Sequence, residues 1–186
     1  MPFLRLLRIF VPLLIIAAIV AGAAVVLSSR SDLQSARRDV GNAWKPLRAA
    51  LDTRYGTLAT ADNAVSSTPG PLHQLVEQVD HADANWRTLE SSGGSVASQV
   101  QAANELEALG RQLVLTAHAT PRLVGDTTAL AAVDAYAKQA TPTAAAATFN
   151  AAVSRYQRER TRPARRFASG VLGYNSIPAY DASGAA

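Results

Sequence analysis

Cysteine is absent from this chain. Disulfide stapling, thiolate catalysis and cysteine-ligated zinc or iron–sulfur centres are therefore excluded. Aromatic residues are scarce, 6% of the total, and do not interleave with the basic side chains, so a nucleic-acid stacking surface has no support. Runs of β-branched residues are missing while alanine is abundant, which makes helix the default. With no strand in view, no glycine-rich loop is placed to cradle a phosphate. A Gly-x-Ser-x-Gly nucleophile turn is also lacking. Ser95 after Gly93-Gly94 does not replace it, and a helical bundle offers no natural oxyanion hole. No Glu-x-x-His occurs, and a di-iron bundle would need two.

Charge is missing from one long stretch, and that stretch is the strongest positive signal. From Ile9 to Leu27, IFVPLLIIAAIVAGAAVVL carries no charged or strongly polar residue. Nineteen helical residues rise about 28 Å, close to the hydrocarbon thickness of a bilayer. Arg5, Arg8 and Arg30 flank it and can reach headgroups. The rival reading is a cleaved secretory signal cut near Ala21-Gly22-Ala23. Val25, Val26 and Leu27 prolong the apolar run past that point, and Pro12 is tolerable near the start of a spanning helix. Residues 1–29 thus read as an uncleaved, single-pass anchor in the cell membrane, with Ile9, Val11, Leu14, Ile16, Ile19, Val25 and Leu27 in the bilayer. Basic residues on the two sides nearly tie, so the side occupied by the remainder is left open.

Beyond the anchor, periodicity marks helices. Leu33, Val40, Trp44, Leu47, Leu51, Tyr55, Leu58 and Val65 form one stripe, interrupted at Ser66–Pro71. Leu72, Leu75/Val76, Val79, Ala82, Trp86 and Leu89 form a second, ended by Ser91-Ser92-Gly93-Gly94. Val96, Val100, Ala103, Leu106, Leu109 and Leu113 form a third, broken at Thr120-Pro121 because a residue before proline disfavours the helical region. A fourth tract carries Leu123, Leu130, Val133, Tyr136, Phe149, Val153, Tyr156 and Phe167, with Pro142 as either a kink or a turn. The expectation is an all-α chain: a transmembrane helix, then an antiparallel four-helix bundle over 30–169, then an extended or disordered tail, 170–186, dispensable for folding.

The order of motifs resembles the LemA family of bacterial membrane-anchored helical-bundle proteins. The resemblance rests on the amino-terminal hydrophobic segment, Ala43-Trp44, Arg54-Tyr55, the leucine-rich Asn104–Leu113, and Thr120-Pro121-Arg122-Leu123. Phe149-Asn150 and Tyr156-Gln157 stand where the family has paired Tyr-Asn motifs; Pro163 and the small-aromatic tail Phe167–Tyr180 follow. Gly56–Ala61 departs from the family's Leu-Ile-Pro-Asn-Leu-Val run, marking a divergent member. The resemblance implies no catalytic activity. The anchor, the four stripes and the missing catalytic constellation point to an interaction or scaffold role with a protein partner, with no cofactor and no small-molecule substrate evident. The alternative is an exported bundle that holds a lipid or cell-envelope fragment.

Among candidate sites, His73, Glu77 and His81 share a slowly drifting stripe, but span about 12 Å along a helix, too far for both imidazoles to meet one ion. No metal site is assigned. Trp44 and Trp86 read as core fillers rather than a ligand pocket. With Phe149 and Tyr156 they are expected to be structural, and Asn150 and Gln157 to be polar clamps between helices. Setting aside Arg5 and Arg8 from the 18 basic residues leaves 16 against 14 acidic. Six of the 16 (Arg155, Arg158, Arg160, Arg162, Arg165 and Arg166) cluster near the carboxyl end, opposed locally only by Glu159, as a membrane-surface patch would be.

Overall fold

The computed structural model describes residues 3–181; the side chains of residues 3–29, Ala164 and Phe167 lie outside that description. Among the described residues six α-helices occur: α1 (Phe3–Val65), α2 (Pro71–Ser91), α3 (Val96–Ala119), α4 (Thr127–Lys138), α5 (Thr143–Thr161) and α6 (Pro163–Val171), with a 3-10 turn at Pro121–Leu123. No strand is present among the described residues. Two compact units can be distinguished. One comprises the chain up to Asp39 together with Ser154–Ser176; the other comprises Val40–Val153 and the chain from Ile177.

The larger unit is a helical bundle whose cross-helix contacts establish the directions. Trp86 meets Tyr55 and Asp52, while the earlier Asp80 faces the later Asp62, so α2 runs against α1. Trp44 pairs with Gln99 and Arg54 with Glu107, so α3 runs with α1. All eight residues of the first stripe are buried. Helix ends follow local chemistry. Pro71 opens α2, its missing N–H being one a first turn leaves unbonded anyway. After Ser91 the Gly94 N–H bonds the Leu89 carbonyl at 2.8 Å and the Gly93 N–H bonds Glu90 at 3.4 Å, a Schellman cap that needs the +69° φ of Gly93. Ser95 then caps α3 by accepting the Ser98 N–H at 3.1 Å. Asp126 caps α4 through the Ala129 N–H.

Two expectations change, and a third falls outside the described side chains. The fourth tract is two helices: α4 ends at Lys138 and α5 begins at Thr143, because Thr141 before Pro142 cannot stay helical. Pro142 therefore sits in a turn, and with α6 added the count exceeds four. The tail beyond Gly170 is extended, with no helix after Val171, yet it is docked. Ile177 and Tyr180 are buried, at 7% and 1% exposure. The anchor expected at Ile9–Leu27 falls on side chains outside the description, although α1 itself begins at Phe3. Among the described residues, no helix is long and apolar enough to cross a membrane.

Candidate functional site

In the larger unit the residues with chemical potential gather around Arg54 of α1. Its Nε and Nη2 donate to the two carboxylate oxygens of Glu107 on α3, at 2.8 and 3.2 Å. Its Nη1 donates to the Gln139 carbonyl at 2.7 Å. That carbonyl is free for the purpose because the break before Pro142 removes it from any helix ladder. The guanidinium also lies over the Tyr136 ring, 4.5 Å from its centroid. Burial opposes the Arg54 charge, but the Glu107 hydrogen bonds and the surrounding phenols hold its pKa above the usual arginine value. Burial likewise raises the Tyr136 phenol to about 12 and pushes the Tyr55 phenol well upward, with Glu107 adding to both. The Tyr55 hydroxyl donates to the Ala103 carbonyl at 3.0 Å.

Gly110 allows this packing. A Cβ there would lie 2.7 Å from Tyr136 Cζ, so only glycine lets α4 bring its ring against α3.

The tail completes the cluster. Tyr180 stands beside Glu107, Arg54 and Tyr136, and burial followed by the Glu107 charge raises its phenol pKa strongly. Its hydroxyl, like that of Tyr136, is buried without meeting hydrogen-bond geometry to any group. Two asparagine amides fix the tail's main chain: Asn104 on α3 and Asn150 on α5. Asn150 was expected to clamp one helix to another; it grips the tail instead. Gln157 accepts from Arg160 Nε at 3.1 Å.

Trp44 and Trp86 form an aromatic cluster on the same bundle. Trp44 lies 6.3 Å from Trp86 edge-on and 5.1 Å from Phe149; Tyr55 meets Trp86 edge-on at 5.3 Å. The Trp44 indole donates to Gln99 Oε1 at 2.6 Å, and Gln99 Nε2 reaches back to the Leu89 and Gly94 carbonyls, bracing the α2–α3 turn.

A second set of charges was not anticipated. Asp62 on α1 is 2% exposed, and its Oδ1 has no partner. Burial, then Asp80 and Asp83 of α2, raise its pKa to about 7. Nearer the middle of α1, burial and Glu90 raise Asp52, whose Oδ1 accepts the Trp86 indole N–H at 3.2 Å.

His73 and Glu77 lie 3.6 Å apart and are both exposed. Among the described residues no group of three metal-ligating side chains converges.

In the smaller unit the arginine cluster is less free than its local sequence suggests. Arg165 bonds Glu159 and, at 2.6 Å, Asp32 of α1. Arg162 pairs with Glu159 at 3.1 Å and Arg155 with Asp39 at 3.9 Å. These six residues line a recess of about 320 Å³ of balanced charge. Arg158 and Arg166 are exposed, and Arg160 is half-buried. Tyr156, buried in this unit, donates to the Asn175 carbonyl at 2.8 Å, and Arg37 lies over the Tyr174 ring.

Sequence reasoning missed Arg54, Glu107, Asp62 and Tyr180 as interior groups. A signal existed for the first: Arg54 falls three residues after Leu51 and four before Leu58, on the edge of the buried stripe. Comparison with protein-family models, with curated proteins and with solved structures finds no match for this chain.

Proposed function

We propose that the chain is a membrane-anchored, non-enzymatic helical-bundle protein of the LemA type that serves as an interaction or scaffold module. The observation that carries the anchor is α1, which runs without a break from Phe3 to Val65 and contains the uncharged Ile9–Leu27 run. The helix continues unbroken through Ala21-Gly22-Ala23, and the apolar run outlasts the roughly 7–15 residues usual for a signal, which supports a spanning segment over a cleaved one. The larger unit suits a module better than a catalyst. Its buried ion pair joins Arg54 to Glu107, and its tryptophans are committed to packing.

On this reading the arginine cluster belongs near the bilayer. Asp32 follows Leu27 by five residues, about 7.5 Å of helix, and it holds Arg165. Exposed Arg158 and Arg166 are then the residues available to anionic headgroups, each contributing on the order of 1 kcal/mol.

Two experiments test the proposal. Alkaline carbonate washing should leave the full chain in the membrane pellet; release into the supernatant would refute the anchor. Affinity purification from gently solubilised membranes should recover the same partner repeatedly, and consistent failure would refute the scaffold role.

A further inference from the structure

The carboxyl-terminal segment is held as a peptide ligand is held. Asn150 Nδ2 donates to the Tyr180 carbonyl at 2.8 Å, and Asn150 Oδ1 accepts the Tyr180 N–H at 2.9 Å. Asn104 Nδ2 donates to the Ala179 carbonyl at 3.1 Å while its Oδ1 accepts the Asp181 N–H at 2.9 Å. Two side-chain amides thus bond four main-chain groups on three consecutive residues. Those bonds are indifferent to sequence, so selectivity falls to the side chains that enter the bundle. Tyr180 goes in beside Glu107 and Tyr136, and Ile177 is buried, whereas Ala179 between them is exposed. Pro178 fixes one φ and holds the segment extended at little entropic cost.

We propose that the groove walled by Asn104 of α3 and Asn150 of α5 is a recognition site for an extended peptide of the pattern aliphatic-Pro-x-Tyr on a partner protein, occupied in cis by the chain's own tail. This rests on reading the chain as an interaction module and names the class of partner. The tail shows what the groove accepts. Its Tyr180 hydroxyl is buried beside the Glu107 carboxylate but falls short of good hydrogen-bond geometry, so the cis fit is not ideal. Its covalent tether gives it an effective concentration on the order of millimolar, so in the resting chain it competes with any incoming peptide. A partner engages when its own sequence fits better, or when the tail is drawn away.

The probe is a fluorescein-labelled synthetic peptide with the sequence of residues 174–186, followed by anisotropy against the full chain in detergent micelles. Tyr180→Ala, which weakens the cis occupant, should bind the probe saturably and roughly tenfold or more tighter than the parent chain does. Adding Asn150→Ala should weaken that binding about tenfold, for two lost hydrogen bonds. Changing the probe's own tyrosine to alanine should weaken it about 30-fold. In case Tyr180→Ala fails to fold, a second variant carries a protease site in place of Tyr174–Ser176 and is cut after folding; its severed tail should exchange with the probe. A probe that neither binds Tyr180→Ala nor exchanges into the cut chain overturns the proposal. A full chain that dimerises through its tail would make a second copy the occupant and overturn the partner reading. Probe failure alongside a reproducible co-purified partner would sink only this groove, whereas probe binding without any partner would sink the scaffold role.

Discussion

Asp62 makes the stability of this protein depend on pH in a direction opposite to most carboxylates. Its side chain is 2% exposed, faces Asp80 and Asp83 across the α1–α2 contact, and leaves Oδ1 without a partner. Burial and the neighbouring like charges raise its pKa from 3.8 to about 7. Below pH ~4 the folded and unfolded chains both hold the proton, and Asp62 contributes nothing to pH dependence. Between pH ~4 and ~7 the unfolded chain releases the proton while the folded chain keeps it, so stability falls as pH rises. Above pH ~7 the full cost is present. A rise from 3.8 to about 7 at 1.36 kcal/mol per pH unit sets an upper bound of about 4 kcal/mol, and an effective interior dielectric well above that of a dry core lowers the realised cost to roughly 2 kcal/mol. Against a typical total of about 5–15 kcal/mol this is a large fraction.

Replacing Asp62 with asparagine keeps the shape and removes the titration. Asp62→Asn should match the parent within about 1 kcal/mol at pH 5 and exceed it by roughly 2 kcal/mol at pH 8. Asp80→Asn should give part of the same gain, because Asp80 is the largest contributor after burial. Urea unfolding of the full chain in micelles, followed by tryptophan fluorescence at pH 5, 6, 7 and 8, reads the difference directly. Trp86 lies on α2 and reports loss of that contact. If Asp62→Asn is no more stable than the parent at pH 8, the native carboxylate is ionised and satisfied, and the reasoning fails.

Three further outcomes are expected. Glu107→Leu alone strands the Arg54 guanidinium in the core and should destabilise by about 3–5 kcal/mol, while Arg54→Met with Glu107→Leu should recover most of that loss in a double-mutant cycle. Gly110→Ala should lower stability by about 1–3 kcal/mol in chemical unfolding by forcing the Tyr136 ring aside, and a Tyr136→Ala background should erase the difference. Ending the chain at Ser176 removes buried Ile177 and Tyr180 and should cost about 2–4 kcal/mol; a melting temperature unchanged within about a degree would show that the tail does not dock.

The helices were legible because an amphipathic stripe looks the same in one dimension as in three. Leu33 through Val65 recur at helical spacing, and every one of the eight is buried. Breaks at Ser66–Pro71, Ser91–Gly94 and Thr120-Pro121 were legible for the same local reason: turn residues act on their immediate neighbours. Pro142 was ambiguous because apolar positions continue at helical spacing on both sides, from Tyr136 to Phe149. The deciding partner is remote, since the freed Gln139 carbonyl meets Arg54, 85 positions earlier. The tail was opaque for a different reason. An extended segment held by its main chain leaves no periodic signature, and the readers, Asn104 and Asn150, sit on helices 75 and 30 positions away. Only a few large apolar or aromatic residues (Leu172, Tyr174, Ile177 and Tyr180) in a stretch of small and polar ones hinted that something there is buried.

Charge is where local reading misleads most. Counting along the chain from Arg155 to Arg166 finds six cations and one anion. Folding adds Asp32 and Asp39 from α1, with Asp32 133 positions from its partner Arg165. Three arginines then face three carboxylates in one recess, and their mutual field falls off within a Debye length of about 8–10 Å. What a surface can feel at longer range is only the surplus, carried by Arg158 and Arg166 with half-buried Arg160 behind them. A cluster of six arginines therefore behaves electrostatically as two or three. Its attraction to an anionic surface scales with that smaller number, and the paired residues contribute stiffness to α5 and α6 in place of charge.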